Sequence, residues 1–228
     1  QKYLLLVLVF NLSFYNIKAQ TPLEELKKYS HKEFLKLITE TKDSTFSLSD
    51  AFIYLDEETD TTFYYEQVKN AFKFSSTDSI TVYAKVKLDN VHFQHLYQDT
   101  GYGLHHINFK ETVEIENSSS IVFSNCTFNK GILIDVNVPL KTYIDSFELT
   151  YDDFGADITI NESILREDVF IDVGTIETYS SLFITVTSNL IYKKNENKNF
   201  YYTNNIRSFD FYNNKYIGKG FAQFFIDT

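Results

Sequence analysis

The sequence predicts an all-β chain, a parallel β-helix (solenoid) with a short N-terminal α-helical cap. Three observations carry that reading. A six-residue segment recurs five times with an apolar first residue, a polar third and an apolar or aromatic sixth. From residue 46 onward, apolar and polar residues alternate with period two, and Phe, Tyr, Ile, Val and Thr dominate. Helical periodicity is confined to residues 20–45.

The elements follow in chain order. "QKYLLLVLVFNLSFYNIKAQ" carries Lys2, an apolar run from Tyr3 to about Phe14, and Ala19 ahead of Gln20. That is the charged, apolar and small-residue order of a secretory signal peptide over residues 1–19, and the run is shorter than the ~20 residues a membrane helix needs. The expected address is therefore exported: periplasmic, cell-surface or extracellular. Residues 20–45 read as a helical cap. Thr21, Pro22 and Glu24 give one helix-start signature, and Ser30 with Glu33 gives a second, ahead of Phe34, Leu37 and Ile38 on one helical face. The cap is expected to cover an open end of the strands that follow. Residues 46–228 read as the β-helix, cut within its last coil at "GFAQFFIDT".

The repeat is what predicts coils. Its copies are "LDNVHF" from Leu88, "FSNCTF" from Phe123, "INESIL" from Ile160, "VTSNLI" from Val186 and "FYNNKY" from Phe211. Their starts lie 35, 37, 26 and 25 residues apart, in the range of solenoid units, the longer intervals carrying insertions. The polar third position reads Asn90, Asn125, Glu162, Ser188 and Asn213. Stacked about 4.8 Å apart at an inward bend, such side chains would bond one another as a ladder. A second strand recurs too: Ile134 of "GILIDV" and Ile171 of "DVFIDV" each stand eleven residues after their segment start.

These segments resemble the coils of right-handed parallel β-helix proteins, the pectate-lyase-like superfamily, and "FSNCTF" is similar to a unit of pentapeptide-repeat proteins. The resemblance spans about residues 80–228, by repeat shape and not by a catalytic motif. It departs from true pentapeptide proteins, which repeat every five residues. The competing fold is an antiparallel β-sandwich with coincidental spacing. Superfamily members often cleave or bind polysaccharides through Asp, Arg or Lys on outward faces, and that is the chemistry the resemblance implies.

Thirty-one acids against 21 bases give a net charge of −10, a field that disfavours nucleic acid and anionic lipid. The lone Cys126 excludes an internal disulfide and reads as structural. Three candidate groups remain. Asp135 and Asp172, the acids of the two "IDV" strands, would lie about 5 Å apart on adjacent coils, a spacing that suits a shared cation or a retaining glycosidase pair. Tyr143, Tyr151, Asp152, Asp153 and Phe154 fall in the insertion between Pro139 and Ala156, the best-placed binding loop: aromatics for sugar faces, acids for Ca²⁺ or hydroxyls. His92, His95, His105 and His106 crowd one window but match no metal-site spacing. No cofactor is implied, Ca²⁺ being the one cation the acidic loops would suit.

The expected function is a non-catalytic scaffold or binding module at the cell surface or in the periplasm, with a polysaccharide or cell-surface partner. A polysaccharide lyase or glycoside hydrolase using Asp135 and Asp172 is the alternative. A third reading is the extracytoplasmic part of a membrane protein, its contact with the membrane made only through segments beyond Thr228.

Overall fold

The computed structural model describes residues 25–42, 44–56, 80–94, 103–136, 142–144, 147–149, 156–167, 169–173, 182–193, 200–202, 208–218 and 224–225. The chain opens with β1 (Lys27–Ser30), α1 (His31–Glu40) and β2 (Thr45–Tyr54). It then repeats one circuit. β3 (Ile80–Val82), β4 (Lys85–Phe93) and β5 (Gly103–His105) form the first coil; β6 (Ile107–Phe109), β7 (Val113–Glu116) and β8 (Ile121–Ser124) form the second. β9 (Thr127–Phe128) and β10 (Ile132–Val136) start the third, which is interrupted by β11 (Thr142–Ile144) and β12 (Phe147–Leu149) and completed by β13 (Ala156–Asn161). β14 (Ile164–Leu165), β15 (Val169–Val173) and β16 (Leu182–Thr187) form the fourth. β17 (Leu190–Lys193), β18 (Phe200–Tyr202) and β19 (Ser208–Tyr212) form the fifth, and β20 (Lys215–Gly218) and β21 (Phe224–Phe225) begin another.

Stacked coils build three sheets. Sheet I runs β3-β6-β9-β14-β17-β20, sheet II β1-β2-β4-β7-β10-β15-β18-β21, and sheet III β5-β8-β13-β16-β19. Every strand pair in them is parallel, and β11–β12 is the antiparallel exception among the described residues. The result is an all-β, β-solenoid-like stack. An antiparallel sandwich is excluded by this pairing.

Like residues stack inside. Val86, Val113, Ile132 and Val169 are successive partners in sheet II, as are Leu88, Ile115 and Ile134. Leu104, Phe123, Ile160 and Val186 do the same in sheet III, and Phe109, Phe128 and Leu165 in sheet I. All of these side chains are buried. Each coil alone could not cover its inner face; its neighbours above and below do so.

The cap is shorter than residues 20–45. Lys27–Ser30 is a strand, not the end of a first helix, while residues 21–24 lie outside the described residues. Its backbone groups find partners in Ala51–Tyr54 of β2, and Leu26 packs on Phe52, so tertiary pairing overrides the local Glu-Glu-Leu-Lys-Lys preference for helix. The second start signature holds. Ser30 Oγ accepts from Glu33 N at 3.3 Å and Glu33 Oε2 accepts from Ser30 N at 2.8 Å, a reciprocal cap that contributes about 1 kcal/mol. The buried face of α1 is His31, Phe34, Leu35 and Ile38, with Leu37 outside it. Phe34 meets Phe46 and Phe93 edge-on at 6.2 and 5.6 Å, so α1 covers the apolar end of the first coils.

The corner between sheets III and I corrects the expected ladder. Asn125, Glu162, Ser188 and Asn213 do stack there, each with positive φ (53°, 47°, 56° and 56°), and His106 (56°) is a further member. Yet Glu162, Ser188 and Asn213 are exposed and Asn125 half-buried, so the third position turns outward, where one expected rung forms: Asn125 Nδ2 donates to Glu162 Oε2 at 3.2 Å. The fourth position carries the inward ladder. Asn214 Oδ1 accepts from Asn189 N, and Asn189 Oδ1 from Ser163 N (3.0 and 2.8 Å). Ser163 Oγ accepts from Cys126 N at 3.0 Å. Asn214 and Asn189 also donate to Val186 O and Ile160 O of the preceding coil at 2.8 and 3.0 Å, and the Cys126 thiol donates to Leu104 O at 3.2 Å. Ser163 is too short for that reach and donates to Asn161 O of its own coil at 2.7 Å. In "FSNCTF" the rung is the Cys, and burial pushes its thiol up to about 12.

Asn90 belongs to another column. With Asp50 and Asn117, also of positive φ, it turns the corner between sheets II and III. Leu88 is accordingly the partner of Leu48 and Ile115, not of Phe123. The 35-residue interval is therefore no coil; His106 and Asn125 mark the true one, 19 residues long.

Candidate functional site

The link from sheet III to sheet I is one or two residues in every described coil. The link from sheet II to sheet III varies from residues 117–120 to residues 137–155. Length changes gather at this second corner because the first is locked by the ladder. The β11–β12 hairpin stands there, and β11 lies against β4, two coils back.

Beside that corner runs a column of acids. Asp89, Glu116, Asp135 and Asp172 are successive register partners in sheet II, so their Cα atoms step about 4.8 Å per coil. Asp135 and Asp172 do stand side by side, within a longer column. Asp89 and Glu116 were missed in the sequence, although each immediately precedes a corner Asn. The upper column is matched by lysines: Lys87 Nζ lies 2.7 Å from Glu116 and Lys85 Nζ pairs with Glu114. The hydrogen bond to Glu116, then its charge, raises Lys87 above the usual lysine range. Further down the stack, the register positions of Lys87 and Glu114 are taken by Leu133 and Phe170.

Behind this column lies a buried polar chain. His92 Nδ1 meets Ser119 Oγ at 2.7 Å, His92 Nε2 meets Asn90 Oδ1 at 2.8 Å, and Asn90 Nδ2 donates to Asp50 Oδ1 at 2.8 Å. The Asp50 carboxylate fixes which way the Asn90 amide points. Asn90 Oδ1 then requires a proton on His92 Nε2, which leaves Nδ1 to accept from Ser119. The order is that of a nucleophile, a base and an orienting group. However, Ser119 and His92 are 0% exposed, so no substrate reaches the hydroxyl; the chain holds the corner together. Ser118 assists it, accepting from Val91 N at 2.9 Å and donating to Glu116 O at 2.8 Å.

The four histidines do not form one cluster. His92 is buried in the corner between sheets II and III and not on an outer strand face, whereas His105 and His106 lie at the corner between sheets III and I; His95 falls outside the described residues. Among the described residues, no group of three or more His, Cys, Asp or Glu could hold a metal ion. Of the binding loop, the backbone of Tyr143 pairs with Glu148 in the hairpin, and Tyr151, Asp152, Asp153 and Phe154 lie outside the described residues. No helix among the described residues is long and apolar enough to cross a membrane. No family model, curated protein or solved structure matches this chain.

Proposed function

We propose that the protein is an exported, non-catalytic scaffold or binding module, a right-handed β-helix of the pectate-lyase-like kind, whose ligand is a polysaccharide or another cell-surface polymer. The observation that carries this reading is the register at the corner between sheets II and III. A column of acidic residues whose Cα atoms repeat every ~4.8 Å runs beside the corner that tolerates insertions. A regular row of acceptors suits a repeating polyhydroxyl chain, each carboxylate taking hydroxyl protons from successive residues of the polymer. The burial of Ser119 and His92 favours binding over nucleophilic chemistry. Export rests on the signal-peptide pattern of residues 1–19, and right-handedness on the strong preference of parallel crossovers.

A polysaccharide lyase or glycoside hydrolase is the second reading, favoured by one observation: Asp135 and Asp172 are direct register partners. One experiment separates the two. The full chain is applied to arrayed neutral and acidic polysaccharides, and the same polymers in solution are assayed for new reducing ends and unsaturated products. Binding without products, weakened about tenfold or more in Asp135→Asn, is the expected result. Product formation that Asp135→Asn or Asp172→Asn abolishes would instead establish the enzyme.

A further inference from the structure

The outer face of sheet II changes character along the stack. One register position carries Ser47, Lys87 and Glu114 in β2, β4 and β7, then Leu133, Phe170, Tyr201 and Phe225 in β10, β15, β18 and β21. Alternation places that position outside the core. Leu133 stands between buried Ile132 and Ile134, Phe170 follows buried Val169, and both are half-buried. In the upper coils the position is polar, as a solvated face should be, and Lys87 there is matched by Glu116. From β10 onward every described coil puts a large apolar or aromatic residue at it. An apolar row rimmed by charged residues marks a contact surface.

The choice of polymer rests on the polysaccharide reading above, and the geometry narrows it. Leu133 and Phe170 stand two residues before Asp135 and Asp172 in the same strands, about 7 Å along them and on the same face. A polymer whose hydroxyls reach the acid column therefore has its body over the apolar row. The coil step of ~4.8 Å is close to the length of one pyranose unit. A chain laid along the solenoid axis thus meets row and column once per coil. The row calls for a ring with an apolar face. A pyranose with equatorial hydroxyls turns its axial C–H bonds outward, and their polarised hydrogens are drawn to the negative face of an aromatic ring. The column calls for hydroxyl donors and opposes anions: a polyuronate would set its carboxylates against Asp135 and Asp172, on a chain of net charge −10. We propose that the outer face of sheet II, from β10 onward, binds a neutral polysaccharide of equatorially substituted pyranoses. Its rings lie over the row begun by Leu133 and Phe170, and its hydroxyls meet the acid column.

Equilibrium binding of the full chain to soluble hydroxyethyl cellulose and to polygalacturonate, in low and high salt, tests the assignment. The neutral polymer should bind in both, because stacking is not screened by salt, and polygalacturonate should bind in neither, with or without Ca²⁺. Phe170→Ala should weaken neutral binding about tenfold, while Phe170→Tyr, which keeps the ring, should hold it. Leu133→Ala should weaken it too, and decides the matter if Phe170→Ala does not fold. Ile164→Ala, on the outer side of sheet I, is the control and should bind as the parent does. Tighter binding of polygalacturonate overturns the neutral class but leaves a polysaccharide ligand standing. So does neutral binding that Asp135→Asn weakens and neither row variant changes. Equal weakening by Ile164→Ala would mean general apolar adhesion and also overturns it. Binding to neither polymer, nor to any on the array above, would remove the polysaccharide reading itself.

Discussion

Phe123→Ala is expected to destabilise the protein by about 4 kcal/mol, the upper range for removing a fully enclosed aromatic ring. The Phe123 ring is 0% exposed and meets Phe109 and Phe128 edge-on at 6.0 and 5.3 Å, while those two stack on each other at 5.2 Å. One ring from sheet III therefore plugs two from sheet I, and these three rings fill the coil between β6 and β9. Ala would leave a void that the rigid ladders on either side cannot close. Leu133→Ala is the control. Leu133 alternates with buried Ile132 and Ile134 and is half-buried on the outer face, so its loss should cost under about 1 kcal/mol. Urea unfolding followed by far-UV circular dichroism gives both numbers; equal midpoints would mean that Phe123 does not face the core.

Asn189→Leu is expected to cost about 3 kcal/mol despite adding apolar bulk to an apolar interior. The Asn189 side chain accepts from Ser163 N, donates to Ile160 O, and also donates to Asn214 Oδ1 at 3.0 Å. Leu fills the same volume but strands a backbone donor and a backbone acceptor where no water competes. Each stranded group costs about 1–3 kcal/mol. Asn125→Gly should cost a few tenths at most, because Asn125 is half-buried and its φ of 53° suits glycine. The same urea experiment ranks them. Were Asn125→Gly the more damaging, the ladder would belong to the third position and not the fourth.

That one-position difference shows where the sequence was legible. Alternation located the strands, and the "IDV" repeat gave the true register of Asp135 on Asp172, because period two holds inside a strand. It fails across the corner. At the corner between sheets III and I the residue of positive φ sends its own side chain outward and the next one inward, so counting in twos from Phe123 assigns the inward role to Asn125 when Cys126 has it. The same local shape serves two corners, which is why "LDNVHF" aligned with "FSNCTF" although they occupy different sheets. The first coil was missed because its corner is the single residue His106 and its polar rung is absent, Ile107 following directly. Strand β1 was read as helix because nothing local announces its partner, more than twenty residues ahead. At the candidate site, Asp135 and Asp172 were legible from their repeat, but Asp89 and Glu116 were not, since "KLDN" and "EIEN" share only an acid and an Asn.

A cross-link measures the stacking of coils most directly. Asp135→Cys with Asp172→Cys places two thiols on register partners of β10 and β15, a Cα separation of about 5 Å that a disulfide spans without strain. Cys126 is buried and held protonated, so it does not compete for oxidation. The control pairs Asp135→Cys with Thr185→Cys of β16, on a different sheet. Under mild oxidation the first pair should close completely in the folded protein and the control not at all. No closure of the first pair, or equal closure of both, would contradict the coil register from which the ladder, the acid column and the proposed binding face all follow.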